Sequence, residues 1–225
     1  MDDTRVGVYV GTYGKYNNGY LDGKWMYPAD YDSREDFIDA CYKLHNDEDP
    51  NQVELMFQDV DYLPNSLYSE SYFSEEAFNY AKFIDDNPSL AGAAEAYVDE
   101  YGDWDEDDFE SRYYGEFDSL EDFAYEFIDS IGGIKEAVQH PEDYFDYESF
   151  GRDLKLDLDE EDEYDAELLD LSDYACGVRY IDDVYGDISE LDQEIIETHF
   201  DYEAFARDLS YGDIAYVNGY VFWNN

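Results

Sequence analysis

The chain has 225 residues, with 61 Asp and Glu against 12 Lys and Arg, giving a formal net charge of −49 and a pI near 4.1. Acidity on this scale normally marks a solvated, disordered chain, yet 44% of the residues are hydrophobic and 19% aromatic, with 26 Tyr, 14 Phe and 3 Trp. Disordered acidic tails lack aromatics, so disorder is excluded, and a charge that opposes the compact state by self-repulsion implies a function that needs it.

In chain order, Val6, Val8 and Val10 alternate with Arg5, Gly7 and Tyr9 and predict a strand. A polar loop through Tyr16-Asn-Asn-Gly19 and a strand around Gly23–Tyr27 follow. Ser33-Arg-Glu-Asp36 has the form of a capping box, opening a helix with Phe37, Ala40, Cys41 and Leu44 inward. Val53, Leu55 and Phe57 alternate in a third strand, so residues 1–63 read as a small α+β unit.

From Leu63-Pro64 the period becomes helical, and residues 64–117 read as a central unit of short helices. Phe73-Ser74 with Phe78, and Trp104-Asp105 with Phe109, have the spacing of a hydrophobic staple around an N-cap. Ser89 is placed as the cap of a helix with Ala91, Ala94 and Val98 inward and Gly102 as its stop. Ser119-Leu-Glu-Asp122 opens the next, with Phe123, Phe127 and Ile131 inward and Gly132-Gly133 beyond it.

Residues 118–225 read as a C-terminal α+β unit with a partial internal repeat. Phe145-Asp-Tyr-Glu-Ser-Phe-Gly-Arg-Asp-Leu154 returns as Phe200-Asp-Tyr-Glu-Ala-Phe-Ala-Arg-Asp-Leu209, 55 positions on (145 to 200). In each copy the Asp can cap a helix, and the preceding Phe has staple spacing to Phe150 or Phe205. Tyr147, Phe150 and Leu154 share one face; Glu148 and Arg152, like Glu203 and Arg207, are i, i+4 pairs on another. Between the copies, the acidic run Asp157–Asp165 reads as a solvated loop and Gly177–Ile181 as a strand. Ile214–Val217, Asn218-Gly219 and Tyr220–Trp223 form a type I′ hairpin.

The sequence carries little that resembles a catalytic site. His45, His140 and His199 lack metal-ligand spacing, and no phosphate-cradling loop or nucleophile elbow occurs. Asp103, Asp105 and Asp107 match the first EF-hand positions, but Asp108 stands where glycine is required and Tyr114 where the bidentate glutamate belongs. Asp157, Asp159 and Glu161 fail in the same way, at Asp162 and Leu168. No cofactor, no dedicated metal and no enzymatic activity are expected. No run of about 18 apolar residues occurs, and Met1-Asp-Asp-Thr4 lacks the features of a signal peptide. Two cysteines are too few for a disulfide framework, and Cys41 falls on a core-facing helix position. An intracellular protein without membrane or nucleic-acid partners is expected.

What the charge is for can be approached through its density. Duplex DNA carries one charge per about 1.7 Å, so this net charge would cover about 83 Å of duplex at that density. A compact chain of this length has a radius of gyration near 17 Å, so DNA-like spacing requires an elongated row of small units. Such a chain would offer carboxylates where DNA offers phosphates. The exposed candidates are Asp103, Asp105, Glu106, Asp107 and Asp108 in the middle, and Asp157, Asp159, Glu160, Glu161 and Asp162 beyond the first repeat copy.

Val8-Tyr-Val-Gly-Thr-Tyr13, Lys15-Tyr-Asn-Asn-Gly19, Gly23-Lys-Trp25, Asp36-Phe37, Ala40-Cys41, Leu44-His45, Asp47-Glu-Asp-Pro50 and Glu54–Asp59 resemble the opening of the ArdA antirestriction family. Ser119-Leu-Glu-Asp-Phe123, the Phe-Asp-Tyr-Glu motif and Gly219-Tyr-Val-Phe222 extend the resemblance. It implies an elongated, often dimeric DNA mimic of three small domains in a row that blocks Type I restriction–modification enzymes in a bacterial cytoplasm, carried by plasmids, conjugative elements or phages. The second motif copy departs from the family pattern, in which one copy runs directly into the hairpin. Three other readings stay open: a mimic aimed at a transcription regulator or CRISPR nuclease, an acidic protein of a halophile, and an interaction module that displaces no DNA.

Overall fold

The alternation at residues 6–10 becomes the central strand of a sheet. The computed structural model describes residues 5–47, 49 and 52–224. Strand β1 (Gly7–Thr12) is followed by a short helix α1 (Tyr13–Asn17), then by β2 (Lys24–Met26), helix α2 (Arg34–Leu44) and β3 (Leu55–Asp61). The sheet order is β2-β1-β3, antiparallel throughout, with a bulge between Tyr9 and Val10. Val8, Val10, Phe37, Cys41 and Phe57 are buried between sheet and helix. Ser33 accepts from the Asp36 N–H, so the predicted cap forms.

The same core continues into helices α3 (Glu75–Asp86), α4 (Ala91–Tyr101) and α5 (Glu106–Arg112) and strand β4 (Tyr113–Glu116). The expected boundary at 63/64 lies inside one compact unit of residues 5–116 and 215–224. Phe57 and Phe73, on either side of it, have ring centroids 5.7 Å apart. Strands β5 (Ile214–Val217) and β6 (Tyr220–Trp223) return to this unit in a second sheet, of order β4-β6-β5. Their turn has positive φ at Asn218 (52°) and Gly219 (92°), as a type I′ hairpin requires. Phe222 thereby reaches the cluster of Tyr97, Trp104 and Phe109.

Residues 117–214 form a second compact unit. Helices α6 (Leu120–Ser130), α7 (Ile134–Ala137) and α8 (Tyr147–Leu154) contain the first motif copy. Helices α9 (Glu163–Leu169), α10 (Asp173–Tyr180), α11 (Gln193–Thr198) and α12 (Tyr202–Leu209) lead to the second. Both predicted caps form: Asp146 accepts from the Ser149 N–H and Asp201 from the Ala204 N–H, at 2.9 and 2.8 Å. Both staples close, with ring centroids 5.5 Å apart for Phe145 and Phe150 and 5.9 Å for Phe200 and Phe205.

The structure corrects several local expectations. Residues 177–180 are helical, and Ile181–Tyr185 continue as a π turn instead of a strand. Ser172 caps this helix by accepting from the Ala175 N–H. Its packing on α8 outweighs the β-propensity of Val178, Tyr180 and Ile181. Ser89 lies in a 3-10 turn and Leu90 is the cap position of α4, without a side-chain cap bond. Part of the 16–19 loop is helix α1, which Thr12 caps. The acidic run ends inside α9, and Ile131 is exposed where it was expected inward. Met1–Thr4, and Glu48 and Pro50 of the resemblance motif, lie outside the described residues.

Candidate functional site

The first acidic stretch is held by aromatic anchors. Trp104 and Phe109 are buried, with ring centroids 5.3 Å apart, so the residues between them must turn outward. Asp105 caps α5 by accepting from the Asp108 N–H at 2.9 Å. Asp103, Asp105, Glu106 and Asp107 are exposed. Three acidic residues fill the first turn of α5, where the helix dipole favours negative charge.

Asp108 behaves differently. Its Oδ2 accepts from the Arg112 Nε–H and from the Tyr97 hydroxyl, both at 2.6 Å. These bonds, Arg112 first, hold its carboxyl below the usual range, while burial and the same bond push the Tyr97 phenol up. Arg112 also donates to the Trp223 carbonyl and lies over the Tyr101 ring. Asp108 is thus a structural anchor that ties α5 to α4. Sequence reading placed it with its neighbours; the signal that separates it is the i, i+4 spacing to Arg112.

The second stretch follows α8 in the other unit. Asp157, Asp159, Glu160, Glu161 and Asp162 are all exposed. Their bonds run to local backbone: Asp159 accepts from the Glu161 N–H, and Asp162 caps α9 by accepting from the Tyr164 and Asp165 N–H groups. The conformation is therefore set by Asx-type turns that leave the charges facing solvent.

The placement of the cations was not legible in the sequence. Arg34 donates to the Phe73 carbonyl, Lys82 to Ala29 and Tyr31, Lys135 to Ser189 and Leu191, and Lys155 to Leu171. Arg5 joins Asp30 and Asp85 at 2.6 Å each. Arg34, Lys82, Lys135 and Lys155 thus tie backbone segments together, while Arg5 pairs with carboxylates, and neither acidic stretch has a Lys or Arg ion pair except at Asp108 among the described residues. Nor do the described residues contain a group of three or more His, Cys, Asp or Glu suited to holding a metal.

A family model described as Antirestriction protein (ArdA) matches residues 8–161, more than half of the sequence. The chain belongs to the ArdA antirestriction family. No curated relative matches it. The matched ArdA segment takes in the first acidic stretch, the first motif copy and all but Asp162 of the second stretch. It ends before α9, so the second motif copy lies beyond it. Antirestriction is an inhibitory activity directed at restriction enzymes. No described helix is long and apolar enough to cross a membrane.

Proposed function

We propose that this ArdA-family chain acts as an acidic DNA mimic that occupies the DNA-binding groove of a Type I restriction–modification enzyme, displacing DNA by competition. The observation that carries the reading is two exposed carboxylate stretches without Lys or Arg partners, except at Asp108, in a chain whose Lys82, Lys135 and Lys155 are turned toward its own backbone. A groove built to neutralise phosphates meets such a surface with the charge complementarity that steers association. The inhibitor needs no catalytic group, cofactor or bound nucleic acid. Its partner-binding residues are Asp103, Asp105, Glu106 and Asp107 in one unit and Asp157, Asp159, Glu160, Glu161 and Asp162 in the other, with Asp108 supporting the first set. The family resemblance adds a homodimer and carriage on a mobile element in a bacterial cytoplasm.

The test is a purified Type I enzyme holding fluorescent target DNA, titrated with this protein. Release of DNA in step with protein binding supports the reading. Retention of DNA at saturating inhibitor would replace competition with an allosteric or adaptor role. Displacement of DNA from a different DNA-binding protein, without effect on the Type I enzyme, would redirect the mimicry to that target.

A further inference from the structure

The two motif copies are parts of a longer repeat, and the copies are exchanged by a local two-fold relation. Phe145 and Phe200 form an antiparallel bridge. Beside it the Asp146 N–H donates to the His199 carbonyl, and the Asp201 N–H donates to the Tyr144 carbonyl, both at 2.8 Å. Exchanging the copies converts one bond into the other. The correspondence extends backward to helix starts capped by Ser119 and Ser172. It continues through helix ends closed by the Gly133 N–H on the Ile128 carbonyl and the Gly186 N–H on the Ile181 carbonyl, at 2.9 and 2.8 Å. Both glycines have positive φ, 106° and 78°. Residues 119–154 and 172–209 are therefore two copies of one helical repeat.

The helix packing crosses between them. The last helix of the first copy, α8, packs on the first helix of the second, α10, and α12 packs on α6. Tyr147 meets Tyr174, and Tyr202 meets Tyr125, with ring centroids 5.8 and 5.5 Å apart. Lys135 of the first copy donates to the Ser189 and Leu191 carbonyls of the second. Each copy thus completes the core of the other, through an isologous contact of the kind that joins identical subunits.

We propose that the second unit is an intramolecular pair of self-complementary repeats, and that one repeat alone presents a docking face whose partner is the same face of a second copy of the chain. The second repeat fills that face from within, so any homodimer of the intact protein must use another surface. This inference is independent of the identity of the inhibited enzyme.

The test is a variant lacking residues 155–209, in which Leu154 runs into Ser210 as Leu209 does in the intact chain. Light scattering after size exclusion should give twice as many chains per particle as the intact protein at the same micromolar concentration. A folded variant with an unchanged number of chains would overturn the proposal. Should the variant fail to fold, amide exchange in intact Phe145→Ala decides. Faster exchange by tenfold or more in both 120–130 and 173–180 is expected, whereas an increase confined to the first copy would overturn it.

Discussion

The Tyr97 hydroxyl donates to Asp108 Oδ2 at 2.6 Å, from a ring buried among Trp104, Phe109 and Phe222. One carboxylate in an acidic stretch is thereby converted from surface charge into a tie between two helices. Because its pKa is lowered in the folded state, its contribution to stability is present above the ordinary value of 3.8 and is lost as pH falls through the folded value. Asp108→Asn should cost about 1 kcal/mol at neutral pH, near the low end for a charged hydrogen bond because the carboxylate is partly exposed. The difference in melting temperature from the parent should shrink below about pH 4. A difference unchanged down to pH 2 would show that the lost bond does not depend on ionisation.

Phe150→Ala and Phe205→Ala should each destabilise by about 3–5 kcal/mol, the range for truncating a buried Phe. Both side chains are at least 93% buried and close a staple on their own helix. Urea denaturation measures this; a loss below about 1 kcal/mol at either position would mean that its staple is not part of the core.

At alkaline pH the tyrosines should act in the opposite sense. Burial, first, and nearby Asp or Glu push Tyr144 and Tyr202 up to about 12. A phenol whose pKa is raised on folding contributes stability that is complete below the ordinary value of 10 and fades as pH climbs toward 12. Absorbance at the phenolate band should therefore titrate later in the folded protein than in denaturant. Coincident curves would contradict the shift.

Much of this architecture is written in short-range signals. The strand alternation at Val6–Val10, the caps at Ser33, Asp105, Ser119, Asp146 and Asp201, and the Asn218-Gly219 turn all follow from residue type and spacing. The helix at 173–180 was hidden because Val178, Tyr180 and Ile181 favour strands locally, and only the packing on α8 decides otherwise. The acidic stretches were visible as composition. The inward commitment of Lys82, Lys135 and Lys155 depends on carbonyls 16 or more positions away, which no local pattern encodes.

Neutralising Asp103, Asp105, Glu106 and Asp107 together, as Asn and Gln, should weaken inhibition by more than any single change. Each exposed charge is worth only about 0–1 kcal/mol. Potency should also fall as salt rises, since screening acts over about 8 Å at physiological strength. A titration of inhibition against salt and variant checks both; a single substitution that abolished inhibition would point to a specific contact instead of a distributed field.

Gly151→Ala should destabilise by about 1–3 kcal/mol, in the range for overpacking. The added Cβ would meet the Asp173 carbonyl oxygen and, at 2.7 Å, the Gly177 nitrogen, neither of which can swing away as a side chain would. Thermal melting tests this; an unchanged midpoint would mean that α8 and α10 can separate at little cost.

That same glycine pair has a consequence for how the chain assembles. Copies this alike invite misassembly, in which a helix docks in the wrong berth or on a neighbouring molecule. Where the first copy has Gly151 the second has Ala206, and where α10 has Gly177, α6 has Ala124. The close approach of α8 to α10 leaves no room for a methyl group, so α12, carrying Ala206, cannot take the place of α8 there. Two methyl groups present on one helix pair and absent from the other thus act as an address label, keeping α12 out of the close berth that α8 occupies.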